Sequence, residues 1–104
     1  MVNNLNSVIV EGTIIKCDKV DKAAFFRMKN VRHFKDFNHE IHEETFFFDV
    51  EVYGKLADAC NDILDEGCAV RVVGRLKSLN YENFKVVIYA EHIEAKPMTV
   101  EENA

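Results

Sequence analysis

The sequence holds one proline, four glycines and three cysteines in 104 residues. So little Pro and Gly excludes collagen-like and low-complexity classes. Cys17, Cys60 and Cys68 cannot all pair within one chain, and their spacings match no zinc pattern, so reduced, mostly buried thiols are expected. No apolar run approaches the ~20 residues of a membrane-spanning helix. The opening Met1-Val2-Asn3-Asn4-Leu5-Asn6 lacks the basic and apolar regions of a signal peptide, so a cytoplasmic protein is expected. There is no Gly-x-Ser-x-Gly, no phosphate-cradling Gly-rich loop and no local Cys-His signature, which argues against an enzyme. His33, His39 and His42 stand near Glu40, Glu43 and Glu44, but without helical period or a nearby Cys. Neither a metal nor a cofactor is expected, and His92, alone near the end, reads as structural.

What is present suits one compact unit. A hydrophobic content of 48% beside 30% charged residues predicts a single domain over residues 1–97, with a short frayed tail over 98–104. The net charge of −5 counts against a nucleic-acid binder as an average. Its distribution points the other way. Arg27, Lys29, Arg32 and Lys35 have no acid among them, and Arg71, Arg75, Lys77 and Lys85 share their stretch with Glu82 alone.

Ser7 to Lys16 is β-branched with an interior Gly12, the pattern of a bulged or bent strand. After a polar connection at Asp18 to Lys22, Ala24, Phe26 and Met28 alternate with outward Phe25, Arg27 and Lys29. Lys35 to Glu44 is polar and aperiodic, which predicts a mobile loop. From 46 to 53, Phe46, Phe48, Val50 and Val52 form a core face and Phe47, Asp49, Glu51 and Tyr53 the other. Leu56, Ala59, Cys60, Ile63 and Leu64 are spaced for a helix ended by Gly67. Val70, Val72, Gly74 and Leu76 predict a fourth strand, Asn80 to Asn83 a hairpin turn, and Phe84 to Ile93 a fifth strand. Three strands, one helix and two strands in that order predict an all-β OB-fold, a five-stranded Greek-key barrel with one helix between strands three and four.

Sequence-independent binding of single strands needs cations for phosphates and flat rings for bases, on one surface. Outward positions of strands two to four supply Arg27, Lys29, Phe47, Tyr53, Arg71, Arg75 and Lys77, with Phe34 and Tyr81 in the flanking loop and hairpin.

Val8-Ile-Val-Glu-Gly12, Phe47-Phe-Asp-Val-Glu-Val-Tyr-Gly-Lys-Leu-Ala57, Gly67-Cys-Ala-Val-Arg-Val-Val-Gly-Arg-Leu76 and Ala90-Glu-His-Ile-Glu94 resemble bacterial single-stranded DNA-binding proteins across nearly the whole domain. The most specific element is an aromatic-Gly-Lys-Leu-Ala strand end, then a helix, then the spaced Gly67, Gly74 and Leu76. The resemblance implies binding and protection of single-stranded DNA in replication, recombination or repair. It implies base stacking at Phe34, Phe47, Tyr53 and Tyr81, three of which are more often Trp in that family. It implies homo-oligomers, tetramers before dimers, with strand one pairing between subunits.

The chain departs from that pattern in three ways. Asp49 and Glu51 stand where basic or neutral residues are common. The connection after strand one and the hairpin at Asn80 to Asn83 are short. The Gly/Pro/Gln-rich linker and acidic tip are missing, so the usual acidic-tail protein partners are not expected. A tailless domain of this size also resembles primosomal replication proteins, and its acidic helix with Asp49 and Glu51 would suit a basic protein partner. That alternative acts mainly through protein contacts.

Overall fold

The computed structural model describes residues 2–80 and 82–96. The elements run β1 (Val8–Val20), β2 (Ala23–Lys35), β3 (Ile41–Tyr53), α1 (Gly54–Ala59), a 3₁₀ turn (Asn61–Ile63), β4 (Ala69–Asn80) and β5 (Lys85–Ala95). The five strands close into a barrel in the order β1-β2-β3-β5-β4. All neighbours are antiparallel except β3 and β5, which meet in parallel at Val50–Ile88 and Glu51–Tyr89. The predicted all-β OB barrel with one helix between β3 and β4 is the fold observed. The predicted tail at 98–104 lies outside the described residues, as does Tyr81.

Alternation places the core. Ala24, Phe26 and Met28 of β2, Val50 and Val52 of β3, and Val70 and Val72 of β4 are buried at 0–3% exposure. Each large apolar side chain so enclosed contributes ~1.5–3 kcal/mol. The helical segment closes one end of the barrel with Ala57, Cys60 and Leu64. Here the predicted phase is corrected. The α-helix stops at Ala59 and a 3₁₀ turn follows; within the helix Ala57 is buried and Ala59 is exposed.

β1 bends hard to serve two neighbours. Val8–Thr13 pairs with β4, Thr13–Val20 pairs with β2, and the register slips between Ile14 and Lys16. At Gly12 the strands come so close that an added Cβ would lie 2.5 Å from the Lys29 carbonyl oxygen. A second bulge interrupts β5, where Val73 pairs with His92 but Gly74 with Ala90. The extra residue, Glu91, lets both Ala90 and Ile93 point inward, which strict alternation forbids.

The predicted mobile loop at Lys35 to Glu44 is instead the outer half of a hairpin. β2 and β3 pair without a break from Ala23–Tyr53 to Lys35–Ile41. β1 accompanies β2 only as far as Lys29, so the remainder is a two-stranded ribbon projecting from the barrel. Its polar residues form cross-strand pairs: His33 with Glu43 at 3.3 Å and Arg32 with Glu44 at 3.9 Å. Asp36 builds the turn, accepting from the Asn38 and Glu40 amides through Oδ1 and meeting His42 Nε2 at 2.6 Å through Oδ2. The His42 hydrogen bond, then the Glu40 amide, hold the Asp36 carboxyl below the usual carboxylate range. On this ribbon Phe46, expected in the core, is 47% exposed. Leu76, expected inward on β4, is 51% exposed beyond the barrel rim.

Candidate nucleic-acid interface

Outward side chains of β2, β3, β5 and β4 form one continuous face. Register puts Phe25 opposite Glu51, Arg27 opposite Asp49 and Lys29 opposite Phe47. Across the parallel pair Glu51 meets Tyr89, and Tyr89 in turn stands opposite Arg75. The result is a cluster of rings under cations. Tyr53 and Tyr89 stack at 5.8 Å, and Phe25 meets Tyr53 edge-on at 5.8 Å. The Arg75 guanidinium lies 4.8 Å from the Tyr89 ring centre, and Lys77 Nζ lies 5.8 and 5.9 Å from Tyr53 and Tyr89.

Phe47 is 57% exposed on the same face, six residues along β3 from Tyr53, so ~20 Å separates the two rings.

The two acids on this face are held by its own cations. Arg27 grips Asp49 with Nε–Oδ1 at 2.7 Å and Nη2–Oδ2 at 3.2 Å. That hydrogen bond holds the Asp49 carboxyl below the usual carboxylate range, outweighing the desolvation that would raise it. Any stability from the pair is present above the ordinary carboxylate pKa and lost as pH falls through the lowered one. Glu51 is nearly enclosed at 8% exposure, and its Oε1 accepts from Lys77 Nζ at 3.1 Å and the Tyr53 hydroxyl at 2.8 Å. The hydrogen bond to Glu51, followed by burial, pushes the Tyr53 phenol up to about 12. A raised pKa means this contribution is full below the unfolded value of ~10 and disappears as pH climbs toward the folded one. Absorbance titration is expected to show the Tyr53 phenol ionising at about 12, and Glu51→Gln to return it toward ~10. An unchanged titration in that variant rejects the assignment.

Not every predicted residue joins this face. Arg71 sits on the β1-β4-β5 side, bound to Glu11 at 2.7 Å and Glu94 at 2.9 Å, and its charge is spent there. Phe34 falls on the opposite side of the ribbon from Lys29 and Phe47 by strand alternation. There it stacks on His42 at 5.3 Å beneath Arg32. Tyr89 and Phe25 were missed as ring positions. The signal was available, since Ile88 and Ala90 read inward and leave Tyr89 outward between them.

Asp36, Glu40 and His42 bring ligand-type atoms within 4.8 Å of one another, but both Asp36 oxygens already hold the turn. The Cys17 and Cys60 thiols are pushed up by burial, the state of inert packing groups rather than nucleophiles. Among the described residues no helix is long and apolar enough to cross a membrane.

Residues 5–100 match the family described as the single-strand binding protein family. Single-stranded DNA-binding protein 2 of Chlorobaculum tepidum is 33% identical over 86 residues, covering 75% of this chain and 57% of that protein. The single-stranded DNA-binding protein of Aquifex aeolicus is 37% identical over 73 residues, covering 65% of this chain and 50% of that one. The chain therefore spans about half the length of these relatives. A Plasmodium falciparum single-stranded DNA-binding protein, solved in complex with single-stranded DNA, superposes with a TM-score of 0.71 at 18% identity. That match covers 93% of this chain and 99% of the solved one.

Proposed function

The chain belongs to the single-strand binding protein family, and we propose that it binds and protects single-stranded DNA during replication, recombination or repair in the cytoplasm. The observation that carries this reading is the Tyr53–Tyr89–Phe25 cluster beneath Arg75 and Lys77, continuous with Lys29 and Phe47. Bases stack on rings of any neighbour sequence, so this path tolerates every base. Phosphates are met by Arg75, Lys77, Lys29 and Arg27. No bond is made or broken.

The cations are partly neutralised in advance. A phosphate approaching Arg27 must compete with Asp49, and one approaching Lys77 with Glu51. Counterion release is therefore smaller than the number of basic residues suggests. Anisotropy titrations of a fluorescent single-stranded oligonucleotide across salt, with duplex controls, test the reading. Steeply salt-dependent binding to single strands, weak on duplex, is expected. Asp49→Asn, which frees Arg27, is expected to tighten low-salt binding and steepen the salt slope by ~0.7. Binding that ignores both salt and strandedness sinks the proposal.

The same pairing weakens the primosomal-type alternative. A basic protein partner would need Asp49 and Glu51 as free charges, and both are engaged by Arg27 and Lys77. A homo-oligomer, tetramer before dimer, is supported by β1. Its Val8–Gly12 segment pairs on one edge with β4 and does not pair with β2, while Ile9 is 66% exposed. That edge suits strand pairing with a second copy.

A further inference from the structure

Among the described residues Glu51 is the one buried charged side chain, at 8% exposure, and it lies within the ring face. An enclosed carboxylate is costly unless it is hydrogen-bonded, and on this face its charge also opposes phosphate. Its surroundings show what that cost maintains. All three rings of the cluster are its neighbours: Phe25 opposite it on β2, Tyr89 opposite it on β5, and Tyr53 two residues along β3. A single oxygen, Oε1, accepts from the Tyr53 hydroxyl at 2.8 Å and from Lys77 Nζ at 3.1 Å.

We propose that Glu51 is a positioning residue for base stacking, a tether that fixes the Tyr53 ring and the Lys77 side chain before DNA arrives. The proposal rests on the DNA reading above and gives that site a residue acting through its neighbours. Packing alone holds Tyr53 loosely, since the ring is 38% exposed and meets Phe25 by an edge and Tyr89 by a stack. A bond from its hydroxyl to a buried oxygen sets the plane on which a base can stack. Lys77 has a long stem and a side chain 43% exposed, so without the tether it would have to be ordered at each binding event. Ordering already complete in the free protein does not subtract from affinity.

Charge alone predicts the opposite sign. Removing a carboxylate from a DNA-binding face frees Lys77 for phosphate and should tighten binding. Removing the acceptor should weaken it. Glu51→Gln and Glu51→Met separate the two effects, because both shed the charge and both keep a straight side chain of similar length. Only Gln retains an oxygen that can accept from Tyr53 and Lys77.

The test measures binding of a single-stranded thymine oligonucleotide to the whole chain by anisotropy, with melting curves to confirm that each variant is folded. Glu51→Gln is expected to bind more tightly than the parent at low salt. Glu51→Met is expected to bind about tenfold less tightly than Glu51→Gln, within the range of one hydrogen bond to an ordering group. Tyr53→Phe keeps the ring but loses the tethered hydroxyl, and should weaken parent binding about threefold. That loss should vanish when Glu51→Met is already present, because one tether cannot be removed twice. Should Glu51→Met not fold, Tyr53→Phe in the Glu51→Gln background decides, with the same threefold loss expected. Equal affinity of the Met and Gln variants, or a Tyr53→Phe that binds like its own background, overturns the tether while leaving the DNA reading intact. Failure of the parent to bind any single-stranded oligonucleotide overturns both.

Discussion

Replacing Tyr53 and Tyr89 together with Leu is expected to weaken binding of a single-stranded oligonucleotide by about 3 kcal/mol, more than a hundredfold in Kd. Each ring is a stacking surface worth ~1–3 kcal/mol per base. The pair also anchors Arg75 and Lys77, whose charges lie 4.8 and 5.9 Å from the Tyr89 ring. Removing the rings frees those long side chains to wander, so their phosphate contacts cost more entropy to make. Leu keeps the apolar cover that Ala would remove, and circular dichroism with a melting curve confirms that the barrel persists. Phe47→Ala, at a 57% exposed site away from the cluster, should cost less, about one stacked base. A double variant that folds and binds as well as the parent rules out the ring cluster as the DNA path.

Gly74→Ala is expected to lower the unfolding free energy by about 3 kcal/mol or more, measured by urea denaturation. A Cβ there would stand 2.1 Å from the Tyr89 carbonyl oxygen and 3.2 Å from the Ala90 Cα, both backbone atoms that cannot swing aside. β4 and β5 approach this closely because the register slips between Val73 and Gly74 to admit Glu91. Forcing them apart would open the ladder between the two strands and disturb Ala90 and Ile93 in the core. Ser78→Ala, exposed on the same strand, is the control and should change stability by less than ~0.5 kcal/mol. A loss at Gly74 no larger than the control's would mean the strands part without cost. Because Tyr89 lies at this point, the variant should also bind DNA less tightly where it remains folded.

The errors of sequence reading share a cause. Phe46 has the right parity for the core face of β3, yet it lies beyond the point where β1 stops pairing with β2 and is 47% exposed. Parity tells which face a side chain takes; burial needs a second layer, which is a property of the whole chain. Lys35 to Glu44 looked like a loop because its residues are polar, but a two-stranded ribbon has water on both sides and selects polar cross-strand partners such as His33 and Glu43. Arg71 and Arg75 are four apart on one strand and read as equivalent cations. Barrel curvature sends the first to the Glu11–Glu94 side and the second to the ring face.

Asp49 and Glu51 show where the remaining information lies. In the sequence they are uncompensated charges between two rings. Only the pairing of β3 with β2, and the closing of β4 and β5 over the face, supply Arg27 and Lys77 as partners.

The sequence by itself determined the order of elements, the inward set Ala24, Phe26, Met28, Val50, Val52, Val70 and Val72, and hence the barrel, because alternation and helical spacing are local consequences of backbone geometry. The tertiary structure alone decided which outward residues meet. Tyr89 joins Tyr53, 36 residues away in sequence, across the parallel contact of β3 and β5, and Arg71 is withdrawn by acids 60 and 23 residues away. Such meetings depend on strand order, register and the bulges that shift it, and a shift of one residue would turn each side chain to the other face.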